Sequence, residues 1–163
     1  MKTVLIMRHA KSDWGNAALS DHDRPLNGRG HADAPKMGKL LKQEELTPDL
    51  IISSSAKRAW QTAEGVAYAC GYENEIEQTE EFYLAEPESY LERLSAVENH
   101  HQIVMVVGHN SGISELVSEV TNSYQQMTTA NIAQVQFEID NWAEIDNEET
   151  VGRMMAFWRP KDL

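Results

Sequence analysis

The sequence has very little cysteine and is short of positive charge. Cys70 is its single cysteine in 163 residues, so a disulfide framework is excluded and a reducing compartment is expected. Lys and Arg number 14 against 26 Asp and Glu, a formal net charge of -12. That balance excludes nucleic acid and anionic membrane as expected partners, because both would be repelled at long range. It also excludes a diffuse electrostatic funnel for small phosphates, so a phosphate ligand would need a local cluster of Arg and His. No apolar run approaches transmembrane length, and the one behind Met1-Lys2 is too short for a signal-peptide core. The expectation is a cytoplasmic protein. What remains, 41% hydrophobic and 25% charged residues, is an ordinary globular composition, and the length suits one domain over residues 1–163.

Short apolar runs alternate with helical patterns. Thr3 to Met7 reads as a strand buried on both faces, followed by a polar loop from about Ser12 to Pro25. Asn27 is placed to cap a helix reaching about Glu45, with Ala34, Met37, Leu40 and Leu41 on one face; Pro35 inside it predicts a kink or a later start. Leu50 to Ile52 forms a second strand, and Ser54 or Ser55 is expected to cap the helix that follows. In that helix Ala56, Ala59, Trp60, Ala63, Val66, Ala67 and Cys70 recur at helical spacing, and Gly71 closes it. Pro87 to Val97 is helical. Ile103 to Val107 is the most apolar strand, and a helix with Ile113, Leu116, Val117 and Val120 follows. Ala133 to Ile139 and Val151 to Trp158 complete the strands. The alternation predicts an α/β fold, a three-layer α/β/α sandwich on a mostly parallel sheet, in which ligands sit beyond the C-terminal ends of the strands.

Three of those strand ends share one chemistry. The first ends in Arg8-His9, the second leads to Arg58 in the first turn of its helix, and the third ends in Gly108-His109-Asn110. Two guanidinium forks match phosphate oxygens, and backbone N–H groups at the helix starts after Ser55 and Asn110 add partial positive charge. Such donors suit a phosphoryl transition state with negative charge spread over its oxygens. Neutral imidazole is a competent nucleophile near pH 7. We assign His9 as the neutral attacker and His109 as a donor to the phosphate, protonated when ligand is bound.

Other phosphoryl-transfer signatures are missing. A Cys-x5-Arg loop from Cys70 would need Arg where Ile76 stands, and Cys70 reads as an inert core thiol. A Walker loop ending in Gly38-Lys39 would need glycine where Asp33 stands. Asp21-x-Asp23 lies in a polar loop with no apolar strand before it and reads as a turn. His100-His101 is an adjacent pair without metal-ligand spacing, so neither metal nor cofactor is expected. Trp14, Trp60, Trp142 and Trp158 are scattered and read as core or rim.

LIMRHAKSDW, SSSAKRAWQTAE and VVGHNSGISEL resemble the three signature blocks of the histidine phosphatase (phosphoglycerate-mutase-like) superfamily. DHDRPLNGRGHADA and EFYLAEPESYLERL resemble its small SixA-type phosphohistidine phosphatase branch. The resemblance runs from Thr3 to about Val120. It implies a phosphoglycerate-mutase-like fold, a metal-independent phosphatase with His9 as the phosphorylated nucleophile, and Arg8, Arg58 and His109 as the phosphate pocket. Arg24 in the DRPL segment reads equally as a further substrate contact or as a simple pair with Asp23.

Two departures from the family pattern matter. Arg8-His9-Ala10-Lys11 stands where the family often has Arg-His-Gly-Glu. No recognisable acid motif lies between the second and third blocks, although Glu80, Glu81 and Glu86 are nearby. An alkoxide leaving group needs a general acid, commonly worth about 10²–10⁴-fold, whereas phosphohistidine with its other ring nitrogen protonated departs as neutral imidazole. The expectation is a phosphohistidine protein or small phosphoramidate as substrate, admitted by a pocket without a large insertion over it. The rivals are a small phosphomonoester phosphatase or mutase with Glu81 or Glu86 as acid, and a non-catalytic module that binds a phosphorylated ligand.

Overall fold

The computed structural model describes residues Met1–Leu163. In chain order its strands are Lys2–Arg8 (β1), Leu50–Ser54 (β2), Glu77–Thr79 (β3), Ile103–Gly108 (β4), Ile132–Phe137 (β5) and Arg153–Trp158 (β6). They form one sheet in the order β3-β2-β4-β1-β5-β6. The β3/β2, β2/β4 and β4/β1 pairs are parallel, while β5 runs antiparallel to both β1 and β6. The sheet is therefore mostly parallel, as the alternation of strands and helices predicts.

Both faces are covered, which explains why the central strands read as unbroken apolar runs. Leu5 and Met7 of β1 join Ile51, Met105 and Val107 on one face, beneath helices α1 (Gly28–Gln43) and α2 (Lys57–Cys70). Val4 and Ile6 join Val104 and Val106 on the other, beneath α3 (Pro87–Ser95), α4 (Gly112–Thr121) and the buried Trp142. Each large apolar side chain fully buried here contributes about 1.5–3 kcal/mol.

Local signals behave as expected at most helix ends. The Asn27 side chain accepts from the Gly30 N–H to cap α1, and Gly71, at φ 80°, closes α2 in the left-handed region where glycine carries no steric penalty. The structure adds to or departs from the expectations at three points. The helix start is not delayed by Pro35, which lies within α1, because the chain is already helical from Gly28. Neither Ser54 nor Ser55 caps α2; its N-cap is Ala56, without a side-chain bond, because both serine hydroxyls face histidines, Ser54 on His109 and Ser55 on His22. The polar edge strand β3 carries no apolar pattern to announce it and forms through pairing with β2.

β1 and β4 are neighbours, yet the chain leaves β1 toward the α1 face and leaves β4 toward the α4 face. The two connections diverge and open a crevice between the strand ends, the expected ligand position in an open α/β sheet. No helix is long and apolar enough to cross a membrane.

Candidate active site

The site begins with strand register. β1 and β4 pair with Arg8 opposite Gly108, so the next residues, His9 and His109, emerge side by side. Their ring centroids are 5.1 Å apart with planes inclined at 52°. On the far side of β4, β2 pairs Ser53 with Val107, which brings the Ser54 hydroxyl to 2.8 Å from His109 Nε2. From α2, Arg58 reaches across to the same place. The crevice is a cavity of about 330 Å³ lined by Arg8, His9, Asp21, Arg24, Arg58 and His109. The five candidates for the phosphate site, Arg8, His9, Arg24, Arg58 and His109, are thus brought together. A larger hollow of about 550 Å³ lies at the opposite end of the sheet, but Asp49, Glu73 and Glu75 line it and would repel a phosphate.

His9 is held in one tautomer. Its Nδ1 lies 2.7 Å from the carbonyl oxygen of Ala10, an atom that can only accept, so in the neutral ring the proton sits on Nδ1. Nε2 has no protein partner and is not sealed from solvent, which leaves its lone pair facing the cavity. The Ala10 carbonyl is itself held in place: the Ala10 N–H donates to Thr62 Oγ1 at 2.9 Å, and that hydroxyl donates to the Arg58 carbonyl at 2.7 Å. Burial, then the guanidiniums of Arg58, Arg8 and Arg24, pull the His9 pKa down to about 3 against the upward pull of the Ala10 carbonyl.

His109 is more deeply buried. Desolvation, then charge on His9 and Arg58, lowers its pKa to about 2, so with no ligand present it is neutral. Its Nδ1 is buried without any partner, an unusual expense for a ring nitrogen. Glycine is required just before it: a Cβ on Gly108 would lie 2.0 Å from the Tyr90 hydroxyl oxygen. That hydroxyl accepts from the His109 N–H and donates to the Phe82 carbonyl, each at 3.3 Å. Burial pushes the Tyr90 pKa up to about 12, so it remains a donor.

The guanidiniums are oriented from behind. Arg8 donates to the Met127 carbonyl at 3.2 Å, which also accepts from Asn110 Nδ2 at 2.7 Å, and Arg8 Nε is buried without a partner. Arg24 does not pair with Asp23. It donates to Asp21 Oδ1 at 2.7 Å and to the Asp13 carbonyl at 3.0 Å, and its guanidinium lies 3.2 Å from the Trp14 ring centre.

Asp21 is the residue that the sequence undervalued. It does sit in a tight turn, the 3₁₀ segment Asp21–Asp23, but its carboxylate enters the cavity. Arg58 donates to Asp21 Oδ2 at 3.0 Å and to its backbone carbonyl at 2.7 Å, and the Tyr83 hydroxyl donates to Oδ2. The Tyr83, Arg58 and Arg24 hydrogen bonds hold the carboxyl well below the usual range, outweighing a smaller effect of burial. Ser54, Thr62, Tyr83 and Tyr90 were also missed. Thr62 alone carried a usable signal, four residues after Arg58 on the same helix face. Glu81 and Glu86 are exposed and do not line the cavity.

Comparison with known proteins follows the same lines. A family model described as Histidine phosphatase superfamily (branch 1) matches residues 4–83. An uncharacterised chloroplastic protein of Arabidopsis thaliana is 30% identical over 152 residues, 88% of this chain and 70% of that protein. Phosphoglycerate mutase 1 of Saccharomyces cerevisiae is 34% identical over 65 residues, covering 39% of this chain and 26% of the mutase. The structure of a SixA candidate phosphohistidine phosphatase from Agrobacterium tumefaciens superposes with a TM-score of 0.82 at 28% identity, covering 98% of both chains. The protein histidine phosphatase SixA complexed with tungstate gives a TM-score of 0.84 at 24% identity, again over 98% of both chains.

Proposed function

Because the chain belongs to the histidine phosphatase superfamily, we propose that it is a phosphohistidine phosphatase of the SixA kind, working through a covalent phospho-His9 intermediate without a metal. The observation that carries this reading is the pairing of an uncharged His9, its Nε2 lone pair open to the cavity, with three guanidiniums around the same space. The Nε2 lone pair attacks phosphorus, and the bond to the leaving nitrogen breaks opposite it. Arg8 and Arg58, with Arg24 beside them in the cavity lining, hold the non-bridging oxygens as their charge redistributes. His109 donates from Nδ1, a role that relieves its buried unpaired nitrogen and needs only that Ser54 donate to Nε2. A bound phosphoryl dianion also reverses the electrostatic sense of the site, raising both histidine pKa values that the arginines depress. Protonation of His109 on binding follows the same direction, and Nε2–H then donates to the Ser54 hydroxyl oxygen in place of accepting from it. Water then attacks phospho-His9, releasing phosphate and restoring the neutral ring.

Tungstate in the SixA structure is a tetrahedral oxyanion of the size and charge this cavity would take. Phosphohistidine is favoured over phosphomonoesters because no carboxylic acid that could protonate an alkoxide stands in the cavity. Its sole carboxylate, Asp21, is held ionised. The pocket mouth is bordered by the exposed Trp14 and Leu84 rather than by an inserted domain, which leaves room for a phosphorylated protein. The deciding experiment is acid-quenched trapping of labelled phosphoenzyme. An acid-labile, base-stable adduct on wild type that is absent from His9→Ala supports the reading. Labelling of both, or of neither during turnover, overturns it and favours direct hydrolysis or a binding module.

A further inference from the structure

Asp21 is at odds with the rest of the pocket. In a protein whose phosphate site must be assembled from scarce cations, one carboxylate sits among them, bonded to two of the three guanidiniums. A brace between Arg24 and Arg58 would account for two of its bonds. It does not account for what is left over. An ionised carboxylate offers about four acceptor positions. Arg24 uses one on Oδ1, while Arg58 and Tyr83 use both on Oδ2, so one position on Oδ1 is free. The side chain is 44% exposed, and it lines the cavity.

Its height in the cavity matters as well. His9 and His109 form the floor at 6% and 2% exposure, and Asp21 belongs to the rim. In-line displacement from His9 Nε2 sends the leaving group away from the floor. A carboxylate at the rim therefore meets the leaving group rather than the transferred oxygens.

We propose that Asp21 is a specificity-determining contact for the leaving group, its free Oδ1 position accepting the ring N–H of a protonated phosphoimidazole. The proposal rests on the phosphohistidine reading above. The electron count is simple. The His9 Nε2 lone pair forms the new P–N bond, and the old P–N pair returns to the departing nitrogen. The proton already on the other ring nitrogen stays there, so a cationic ring leaves as neutral imidazole while His9 becomes the cationic phosphohistidine. Asp21 stabilises the reactive, protonated form of the substrate. Toward a phosphomonoester it acts in the opposite sense: it has no proton to give, and it repels the negative charge growing on a leaving oxygen. The groups surrounding it are Arg24, Arg58 and Tyr83 in direct contact, with His22 and Asp23 beside it in the chain.

The test compares kcat/KM on a phosphohistidine peptide and on p-nitrophenyl phosphate for wild type, Asp21→Asn and Asp21→Glu, each checked for folding by thermal melting. Loss of a charge-assisted hydrogen bond predicts that Asp21→Asn falls about tenfold or more on the peptide. The aryl ester, which offers no ring N–H to Asp21, is expected to fall less, so the ratio of the two kcat/KM values drops. Asp21→Glu, which restores the carboxylate, recovers part of the preference. The alkaline limb of kcat on the peptide, where the substrate ring loses its proton, moves to lower pH in Asp21→Asn. An equal fall on both substrates with unmoved limbs overturns the proposal, since a brace acting through Arg58 affects any phosphate alike. Unchanged rates on both overturn it too. Wild type with no preference for the peptide would overturn the phosphohistidine reading itself, a result separate from any change between variants.

Discussion

Acidification from pH 7.5 to 5.5 is expected to weaken this fold through its two active-site histidines. Both are buried as neutral rings, with pKa values pulled down to about 3 and about 2. In the unfolded chain they titrate near 6.5. The unfolded state therefore binds more protons than the native state throughout this interval, and stability rises with pH. The stabilisation is complete above the unfolded value and is lost as pH falls below it. Between pH 7.5 and 5.5 each unfolded ring takes up about 0.8 of a proton while the native ring takes up almost none. This gives about 1.4 kcal/mol per histidine and about 2.7 kcal/mol for the pair. The result depends only on both native values lying well below 5.5, and burial of both rings supports that. Asp21, whose carboxyl is held low, acts only at more acid pH and stays out of the window. Urea unfolding at pH 7.5, 6.5 and 5.5 gives the quantity directly when wild type is compared with His9→Gln/His109→Gln. The double variant should lack about 2.7 kcal/mol of the wild-type decline. If both proteins lose stability in parallel, these rings titrate normally in the native state and the argument for a pre-formed neutral nucleophile is refuted.

Gly108→Ala places a methyl group on the Tyr90 hydroxyl, and we expect activity to fall at least about 100-fold through displaced His109 geometry; activity within threefold of wild type would contradict the close packing. Glu81→Gln and Glu86→Gln should each leave kcat within about twofold on any substrate, because neither side chain lines the cavity, and a tenfold loss in either would revive the phosphomonoesterase alternative.

The parts of the site readable from sequence were those borne at strand ends. Arg8-His9 and Gly108-His109 each follow a run of apolar residues that can only be an interior strand, and ligand chemistry in such folds gathers where strands stop. The two runs gave no hint of being neighbours. The register that sets Arg8 against Gly108, and so puts the imidazoles 5.1 Å apart, belongs to the assembled sheet. Arg58 was legible as a cation in the first turn of a helix, whereas only the structure shows that Glu81 and Glu86 do not line the cavity.

Asp21 marks the limit of that reading. In the chain it is one acidic residue in a polar loop, with nothing to separate it from Asp23 two positions later. Folding gives it three donors from Arg24, Arg58 and Tyr83, of which Tyr83 lies 62 positions away, and leaves Asp23 on the surface. Local pattern determined which segments became strands and helices and which cations could serve a phosphate, because burial and helical spacing act over a few residues. Contacts between distant segments decided the neutrality of His109, the place of Asp21 and the anchoring by Thr62 of the Ala10 carbonyl that sets the His9 tautomer. Desolvation and hydrogen-bond geometry exist only once those segments have met.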